Sequence, residues 1–283
     1  MFNLTIVDRF APREAVPDQA ELSVREWIGS SGSVQARAFV GPSWNWIVWD
    51  GVATFRFRPH SRTVEVLPAV GASSDAITDL YHRQILPIVM QANGWEAIHA
   101  SAVSTENGIL AFCGGRGAGK STIAYALARQ GHPLFADDVV VVEAAPCRID
   151  AIPLPFRPRL RPPSADFFTN DSRPGGSEPR YAAGRRRLSA VFVLETAEHD
   201  QSDPDVGRIR SFDALTPLLA HGRVFDETDH PGRKRYLQNY LEIAAVVPVF
   251  SVRFARRFDR LDSLLDGLLR AAGVGSPELC DAR

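Results

Sequence analysis

Hydrophobic and polar residues alternate with a period of two along the first third of the chain, which is typical of β-strands. The alternation runs through residues 34–40 and again through residues 44–49. Residues 54–58 and 63–67 predict two further strands, joined by a turn at residues 59–62. We therefore expect a β-rich lobe at the N-terminal end of the sequence.

The pattern changes at Ser74 to apolar residues three and four positions apart, which predicts an α-helix. Ser74 or Asp75 is placed to cap its start, Asn93-Gly94 is placed to end it, and Pro87 is expected to kink it. Residues 1–95 are thus predicted to form a β-rich lobe that ends in a helix.

The rest of the chain, residues 96–283, mixes short strands with helices, so we expect an α/β domain there. Strands are predicted at 97–101, 109–112, 134–136, 139–142, 188–194 and 247–254, and helices at 120–130, 211–221, 234–246 and 261–272. Residues 153–187 are rich in Pro, Gly and Arg; we expect their second half to be a loop, and residues 198–205 as well.

The composition is that of an ordinary globular protein, with 45% hydrophobic and 23% charged residues over 283 positions. A formal net charge of −1 gives no general attraction to nucleic acid, and no apolar stretch is long enough for a transmembrane helix. Cys113, Cys147 and Cys280 include no close pair, which argues against a disulfide framework and a CxxC metal site. The N-terminus lacks the features of a signal peptide, so we expect a cytoplasmic protein without nucleic-acid or membrane partners.

Residues Gly114–Ser121 match the pattern G-x-x-x-x-G-K-[ST] of the phosphate-binding P-loop. Glycines let the backbone fold so tightly that successive N–H groups face one anion, and the following helix adds its positive dipole end. The Lys120 ammonium would reach the β- and γ-phosphates of ATP, and the Ser121 hydroxyl would hold Mg²⁺. The residues expected to bind the nucleotide are Gly114, Gly115, Arg116, Gly117, Ala118, Gly119, Lys120, Ser121 and Thr122.

The flanks of this motif favour nucleotide binding over the alternative, a glycine turn without a ligand. The apolar run Ile109–Phe112 leads directly into the motif, and a helix-forming run from Ile123 follows it. This is the strand–loop–helix setting that the motif requires. Of the 32 basic residues only Lys120 and Lys234 are lysines, so a chain that otherwise uses arginine keeps a lysine at this position.

Asp137 and Asp138 are the leading candidates for the carboxylates that phosphoryl transfer requires beside a phosphate site. The main apolar run, Val139–Val142, follows this pair instead of preceding it. If the carboxylates face the nucleotide, this strand starts at the site and runs opposite to the strand that ends at Phe112, which predicts a mixed sheet. The alternative is a solvated turn at the start of a strand.

Five runs of this region resemble the catalytic domain of HPr kinase/phosphorylase and its relatives. The runs are Ile98–Val103, Gly108–Gly114, Gly115–Thr122, Leu127–His132 and Ala136–Asp138. They lie within residues 98–143, about a sixth of the chain, and their order is specific. The resemblance implies a P-loop kinase core with a mixed β-sheet, ATP and Mg²⁺ as ligands, and protein-serine kinase chemistry.

The resemblance also implies roles for individual residues. Asp137 would take the proton from the acceptor hydroxyl, and Asp138 would help to bind the metal and pair with His99. The catalytic residues expected from it are therefore His99, Lys120 and Asp137, and the expected metal ligands are Ser121 and Asp138.

The segment after the Asp-Asp strand departs from the family's bacterial regulators. Those proteins carry a metal-binding Glu ahead of an Arg-Gly-Leu-Gly-like signature, whereas residues 152–160 contain no acidic residue. The chain looks more like the divergent relatives found beside peptide-modifying enzymes, including kinases of lasso-peptide precursors. The expected function is ATP-dependent transfer to a Ser or Thr hydroxyl of a peptide or small protein. Three alternatives stay open: a kinase for a small-molecule hydroxyl such as free serine or a sugar, a nucleotide-gated binding module, and an ATPase without transfer. The oligomeric state also stays open, with a homo-oligomer as one alternative.

Several other residues have both a structural and a functional interpretation. Arg157, Arg159 and Arg161 alternate, so they share one face of an extended segment that would meet phosphates, an acidic acceptor peptide or solvent. Arg185–Arg187 is interpreted as a solvated charge run, with a clamp over the γ-phosphate as the alternative. Cys113 is expected to be buried and inert.

Overall fold

The computed structural model describes residues 2–7, 23–29, 32–170, 178–197, 203–226 and 228–274. Cys280 and parts of the two expected loops, 171–177 and 198–202, lie outside these residues. The chain divides into two compact units, one comprising residues 1–97 and 223–238 and the other residues 98–222 and 239–283. Each unit combines helices with a sheet of parallel and antiparallel pairings, so the expected mixed α/β class is confirmed.

The first unit is built on a six-stranded sheet. Its strands are β1 (Asn3–Ile6), β2 (Ser23–Ile28), β3 (Val34–Val40), β4 (Asn45–Trp49), β5 (Ala53–Phe57) and β6 (Thr63–Pro68). Their order is β1-β6-β5-β4-β3-β2, in which β2 to β6 form an antiparallel meander and β1 pairs in parallel with β6. The period-two pattern thus predicts β3 to β6 correctly. It does not indicate β2, because the run SVREWI does not alternate strictly.

The helical segment of the first unit starts with α1 (Ser74–Leu80), one residue after its cap. The capping residue is Ser73, whose hydroxyl accepts a hydrogen bond from the Ala76 N–H at 3.2 Å. The expectation that Ser74 or Asp75 caps this helix is therefore wrong, since both lie inside its first turn. Two adjacent serines precede the acidic residue, and the sequence does not distinguish between them.

The kink expected at Pro87 takes the form of a π-helical turn, Tyr81–Ile85, between α1 and α2 (Leu86–Ala92). Pro87 has no N–H to donate to the preceding turn. The N–H of Leu86 reaches back five residues, to the carbonyl oxygen of Tyr81, which widens the helix just before the proline. The segment ends at Asn93-Gly94 as expected, with Gly94 at a φ of +102°.

The remaining strands and helices form most of the second unit. The strands after residue 95 are β7 (Glu96–Ile98), β8 (Ala100–Thr105), β9 (Gly108–Gly114), β10 (Leu134–Ala136), β11 (Val140–Ala145), β12 (Arg148–Ile152), β13 (Arg186–Thr196), β14 (Asp205–Ile209), β15 (Gly222–Arg223) and β16 (Val249–Phe254). The helices are α3 (Lys120–Arg129), α4 (Pro162–Asn170), α5 (Ser211–Ala220), α6 (His230–Val246) and α7 (Leu261–Ala271). In the sheet of this unit the order is β10-β8-β9-β13-β12-β11, and β13 also pairs with β16, which pairs with β14.

The strand that enters the glycine motif lies among parallel neighbours. β9 pairs in parallel with β13, and β13 pairs in parallel with β16, so that Gly114 is level with Leu194 and Leu194 is level with Val252. β10 runs in the same direction as β9, because both are antiparallel to β8. The segments that follow β9, β10, β13 and β16 therefore all leave the sheet at the carboxyl ends of these strands. In open α/β sheets, ligands bind at this edge.

The expected direction of the strand after the Asp-Asp pair is wrong. β11 pairs antiparallel with β12, and β12 pairs antiparallel with β13, which is parallel to β9. Two antiparallel pairings in succession leave β11 running parallel to β9 and not opposite to it. The aspartates follow β10 instead, so they occupy the ordinary position of acidic residues at the end of a strand.

α3 and α7 cover one face of the sheet and form the main core with it. Apolar side chains of both helices pack against the central strands: Leu110, Phe112, Ile123, Leu127, Phe192, Leu264, Leu265 and Leu268 are all at most 3% exposed. Phe192 lies between Phe112 and Phe250, with ring centroids 5.6 and 5.1 Å away. This core fixes the start of α3 against the end of β9.

Two departures from the predicted elements lie close to the glycine motif. Residues 153–187 include a helix, α4, because Pro162 and Pro163 are compatible with a first helical turn and Phe168 is buried against the core. The strand expected at 97–101 is interrupted at His99, which separates β7 from β8.

Candidate active site

The glycine loop, Gly114–Gly119, joins the end of β9 to the start of α3. Gly117 and Gly119 have φ angles of +85° and +96°, in the left-handed region that residues with a Cβ rarely adopt. At Gly114 a Cβ would lie 2.9 Å from a main-chain carbonyl oxygen of β13. Because α3 begins at Lys120, the N–H groups of its first turn lack acceptors within the helix, which favours an anion at this end.

The Lys120 side chain is buried and folds back onto the glycine loop. Its ammonium donates hydrogen bonds to the carbonyl oxygens of Gly114 (2.8 Å) and Gly115 (3.1 Å). Burial lowers the pKa of Lys120, whereas the nearby charges of Asp138 and Asp137 raise it. The ammonium is therefore close enough to interact electrostatically with both expected carboxylates.

Asp137 connects the glycine loop to two other segments through its carboxylate. Its Oδ1 accepts hydrogen bonds from the hydroxyls of Ser101 (2.7 Å) and Ser121 (2.8 Å). Its Oδ2 accepts a hydrogen bond from the main-chain N–H of Arg159 at 3.0 Å. The solvated turn considered as an alternative is excluded for Asp137, which is only 9% exposed.

Asp138 and His99 meet through the main chain. Asp138 has a φ of +69°, a left-handed conformation that aspartate tolerates better than most residues, and its carbonyl oxygen lies 2.8 Å from His99 Nδ1. A carbonyl oxygen can only accept, so Nδ1 donates, and in the neutral ring Nε2 is then the acceptor. Asp138 and His99 are thus in contact through a hydrogen bond from the His99 ring to the main-chain carbonyl oxygen of Asp138.

Sequence reasoning assigned no chemistry to Ser101 or His221, although both lie at this site. Ser101 belongs to β8 and reaches Asp137 only because β8 pairs with β9 and β10. His221 follows α5, and its carbonyl oxygen accepts a hydrogen bond from the His99 N–H at 2.7 Å. Burial and the charge of Lys120 lower the pKa of His221. No motif surrounds His221 in the sequence, so only the fold could identify it.

Two arginines lie beside the glycine loop. Arg256, just after β16, donates a hydrogen bond from Nη1 to the carbonyl oxygen of Gly117 at 2.9 Å. Arg161 lies on the same residue, since a Cβ built at Gly117 would be 3.1 Å from its Nη1. Arg116, at the tip of the loop, is exposed. The loop therefore has guanidinium groups beside it as well as the Lys120 ammonium.

The alternating arginines after β12 are confirmed as one exposed face. Arg157, Arg159 and Arg161 are all exposed, whereas Phe156 and Leu160 between them pack against the core. This extended segment passes the carboxylate of Asp137, to which the Arg159 N–H is bound. Its side chains are thus presented beside the acidic pair.

Arg185 and Arg187 are exposed, as expected for a solvated charge run, and the clamp over the γ-phosphate stays a prediction. Arg185 forms ion pairs with Glu143 and Asp150, and Arg186 donates a hydrogen bond to the carbonyl oxygen of Thr105 at 3.0 Å. Arg185 directly precedes β13 and Arg186 and Arg187 start it, so the pairing of β13 with its neighbours positions these residues. They link strands of the sheet to one another.

The residues near the glycine loop fit Mg²⁺. In the described part of the chain, no cluster of three or more His, Cys, Asp and Glu residues could hold a metal ion without further ligands. The donors present are the Ser121 hydroxyl and the carboxylates of Asp137 and Asp138, all hard oxygen ligands. Magnesium at phosphate sites typically takes one or two carboxylates and completes its shell with phosphate oxygens and water.

No family model matches this chain, and no curated protein matches it. Among solved structures, the chain is similar to the Hpr(Ser) kinase/phosphatase from Coxiella burnetii, with a TM-score of 0.35 and 15% sequence identity. The match covers 62% of this chain and 88% of that chain. A similarity of this size shows neither the family nor the function. Within the described residues, no helix has both the length and the apolar character needed to cross a membrane.

Proposed function

We propose that this chain is an ATP-dependent kinase that transfers the γ-phosphoryl group to a hydroxyl of a peptide or small protein. The observation that supports it most is the 2.8 Å hydrogen bond from the Ser121 hydroxyl to Asp137. It joins the helix behind the glycine loop to a carboxylate that directly follows β10, two strands away from β9 in the sheet. P-loop enzymes use the same combination of hydroxyl and carboxylate around Mg²⁺.

The glycine loop and Lys120 would bind the triphosphate. The ammonium rests on the carbonyl oxygens of Gly114 and Gly115, which are neutral acceptors. An ammonium attracts a negatively charged phosphate oxygen more strongly than a neutral carbonyl oxygen at the same distance, so Lys120 would exchange these acceptors for phosphate oxygens. The start of α3 adds the partial positive charge of its dipole.

The hydrogen bonds of Asp137 favour a metal-binding role for this carboxylate. Ser121 and Asp137 would hold Mg²⁺, which when bound neutralises charge on the β- and γ-phosphates. This assignment reverses the one drawn from the family resemblance, in which Asp137 is the base. Asp138, whose main chain is fixed by His99, is then the carboxylate for the acceptor side.

The proposed transfer needs one proton acceptor beside the phosphate site. As the acceptor oxygen bonds to the γ-phosphorus, its O–H proton passes to the carboxylate of Asp138. The bond between the γ-phosphorus and the bridging oxygen breaks, and ADP leaves with the electron pair. General base catalysis of this kind contributes about 10²- to 10⁴-fold, and positioning by the loop supplies most of the remainder.

The extended segment beside Asp137 supports a peptide acceptor. Its N–H at Arg159 is bound to the carboxylate, while the side chains of Arg157 and Arg161 are exposed next to the same site. Guanidinium groups bind carboxylates in a bidentate fashion. A peptide with acidic residues near the acceptor hydroxyl would therefore fit this segment better than a free metabolite.

The test is incubation with γ-labelled ATP, Mg²⁺ and either a peptide mixture or a pool of metabolites that includes serine and sugars. We expect label on Ser or Thr of a peptide, and none with Lys120→Ala. Label on a metabolite would show that the acceptor is a small molecule and not a peptide. Release of free phosphate alone would show ATPase activity without transfer. Absence of ATP binding by the unmodified protein would overturn the proposal altogether.

A further inference from the structure

Two phenylalanine rings stack at the edge of the second unit, near the glycine loop. The centroids of Phe167 in α4 and Phe258 lie 4.2 Å apart, and their planes differ by only 9°. Phe258 is 36% exposed, whereas the core residue Phe192 is fully buried. The stacked pair is therefore partly accessible to solvent through Phe258.

Phe258 is linked to the glycine loop through the turn after β16. The preceding Arg256 donates its hydrogen bond to the carbonyl oxygen of Gly117. β16 is parallel to β13 and β13 to β9, so this turn leaves the sheet in the same sense as the loop. Phe254, the last residue of β16, lies 3.7 Å from the position of a Cβ on Gly119. The turn is thus packed against the candidate phosphate site.

Phe167 is linked to the same site through α4. The hydroxyl of Ser164 in this helix lies 2.8 Å from the hydroxyl of Thr122, in the first turn of α3. Phe167 follows Ser164 by three residues, so it lies on the same face of α4, one turn further along. Tyr125 of α3 packs against Phe168 with ring centroids 4.9 Å apart, which holds the two helices together. Both stacked rings thus belong to segments bound to residues of the P-loop motif.

We infer that the stacked pair Phe167–Phe258 is the seat of the purine base of the bound nucleotide, an inference that rests on the proposed function. The triphosphate occupies the glycine loop, and the ribose leads from the first turn of α3 toward the two rings. The base stacks on the open face of Phe258 and extends the existing stack. Aromatic side chains bind bases in this way with little regard for their hydrogen-bonding edges.

The arginines at the loop support this direction for the nucleotide. Arg256 binds the loop at the carbonyl oxygen of Gly117, and the turn that contains it continues directly to Phe258. A nucleotide that leaves the loop on this side therefore meets a cation first and an aromatic surface next.

The experiment compares ATP with inorganic tripolyphosphate, which has the phosphates and no base. In the unmodified protein with Mg²⁺, ATP should bind at least about tenfold more tightly than tripolyphosphate. Phe258→Leu should weaken ATP about tenfold and change the affinity for tripolyphosphate less than twofold. Phe258→Trp, which keeps a flat ring, should bind ATP at least as tightly as the unmodified protein.

The controls separate this inference from the proposed function. Phe212→Leu alters an exposed phenylalanine in α5 and should change neither affinity. Lys120→Ala should weaken both ligands, because it removes a phosphate contact. If the unmodified protein binds ATP and tripolyphosphate equally, or if Phe258→Leu binds ATP normally, the base seat is wrong while the phosphate site stands. If the unmodified protein binds neither ligand, the proposed function itself fails.

Discussion

The hydroxyl of Ser121 donates a hydrogen bond of 2.8 Å to the carboxylate of Asp137, although 16 residues separate them in the chain. The two residues come from different elements, the first turn of α3 and the end of β10. Their contact depends on both elements meeting at one edge of the sheet, where β9 and β10 run in the same direction. Several measurable properties of the site depend on it.

The two aspartates should respond differently to loss of charge. Asp137→Asn should raise the Mg²⁺ concentration needed for half-maximal transfer, because it replaces a metal ligand and places an amide against the Arg159 N–H. Asp138→Asn should lower kcat at saturating Mg²⁺ by about 100-fold or more, because it removes the proton acceptor. Transfer rates measured over a range of Mg²⁺ concentrations test this. An Asp137→Asn variant that binds ATP and Mg²⁺ normally but transfers nothing would return the role of base to Asp137.

Ser101 should matter for transfer although sequence reasoning assigned no role to it. Ser101→Ala removes one of the two hydroxyl contacts to Asp137 Oδ1 and should cost about 1 kcal/mol of unfolding free energy. The less fixed carboxylate should lower kcat several-fold, while ATP affinity changes little. Ser104→Ala, at another buried serine of β8, is the matched control and should keep full transfer. Equal kcat values for both variants would exclude a role of Ser101 in positioning Asp137.

The cysteines should differ sharply in reactivity. Burial raises the pKa of Cys113 to about 12, so roughly 10⁻⁴ of this thiol is ionised at pH 8. Cys147 is exposed. Iodoacetamide at pH 8 should therefore alkylate Cys147 in the native protein and Cys113 only after unfolding in guanidinium chloride, as read by mass spectrometry of the peptides. Rapid native labelling of Cys113 would mean that the end of β9 opens on the labelling timescale.

The phenylalanine stack of the core should dominate stability. Phe192→Ala should lower the free energy of unfolding by about 3–5 kcal/mol, because a fully buried ring between two others leaves a cavity. Phe212→Ala makes the same chemical change at a ring that is 92% exposed and should stay within about 0.5 kcal/mol of the parent. Denaturant titrations of the three proteins provide the comparison. Similar losses in both variants would contradict this assignment of the core.

Histidines should make the protein less stable in mild acid. Burial lowers the pKa of His132, His82 and His221 below the ordinary value of 6.5. The unfolded chain then takes up these protons at higher pH than the folded one, so this stability is complete above about pH 6.5. It is lost as the pH falls from 6.5 through the lowered pKa values. Denaturation between pH 7.5 and 5 should show this decline, and His132→Gln should make it shallower; an unchanged slope would exclude a contribution from His132.

Local patterns in the sequence are sufficient to predict the strand before the glycine loop and the helix after it. The apolar run before Gly114 predicts the strand, and the helix-forming residues after Lys120 predict the helix. The paired aspartates are recognisable because they are adjacent in the sequence. The structure brings Lys120, Ser121 and Asp137 together as expected from that motif. Alternation over four or more residues likewise predicts β3 to β6, because one face of each strand is buried.

Features that depend on distant contacts could not be predicted in this way. Ser101 contacts Asp137 and Arg256 contacts the glycine loop from positions that are fixed only by the arrangement of the whole sheet. α4 lies in a proline-rich run that indicates a loop, and it is helical because Phe168 packs against the core. The direction of β11 depends on two reversals through β12 and β13, which no local pattern records.

The link between Arg159 and Asp137 uses a main-chain N–H, and this has a consequence for how the protein can change over time. Any residue except proline supplies that N–H, so this hydrogen bond to the carboxylate does not depend on which side chain stands at position 159. Residues of this extended segment can thus change toward a new acceptor while the hydrogen bond to Asp137 at the phosphate site is kept. Within one extended segment, the side chains would determine which acceptor binds, and the main chain would keep the carboxylate in place.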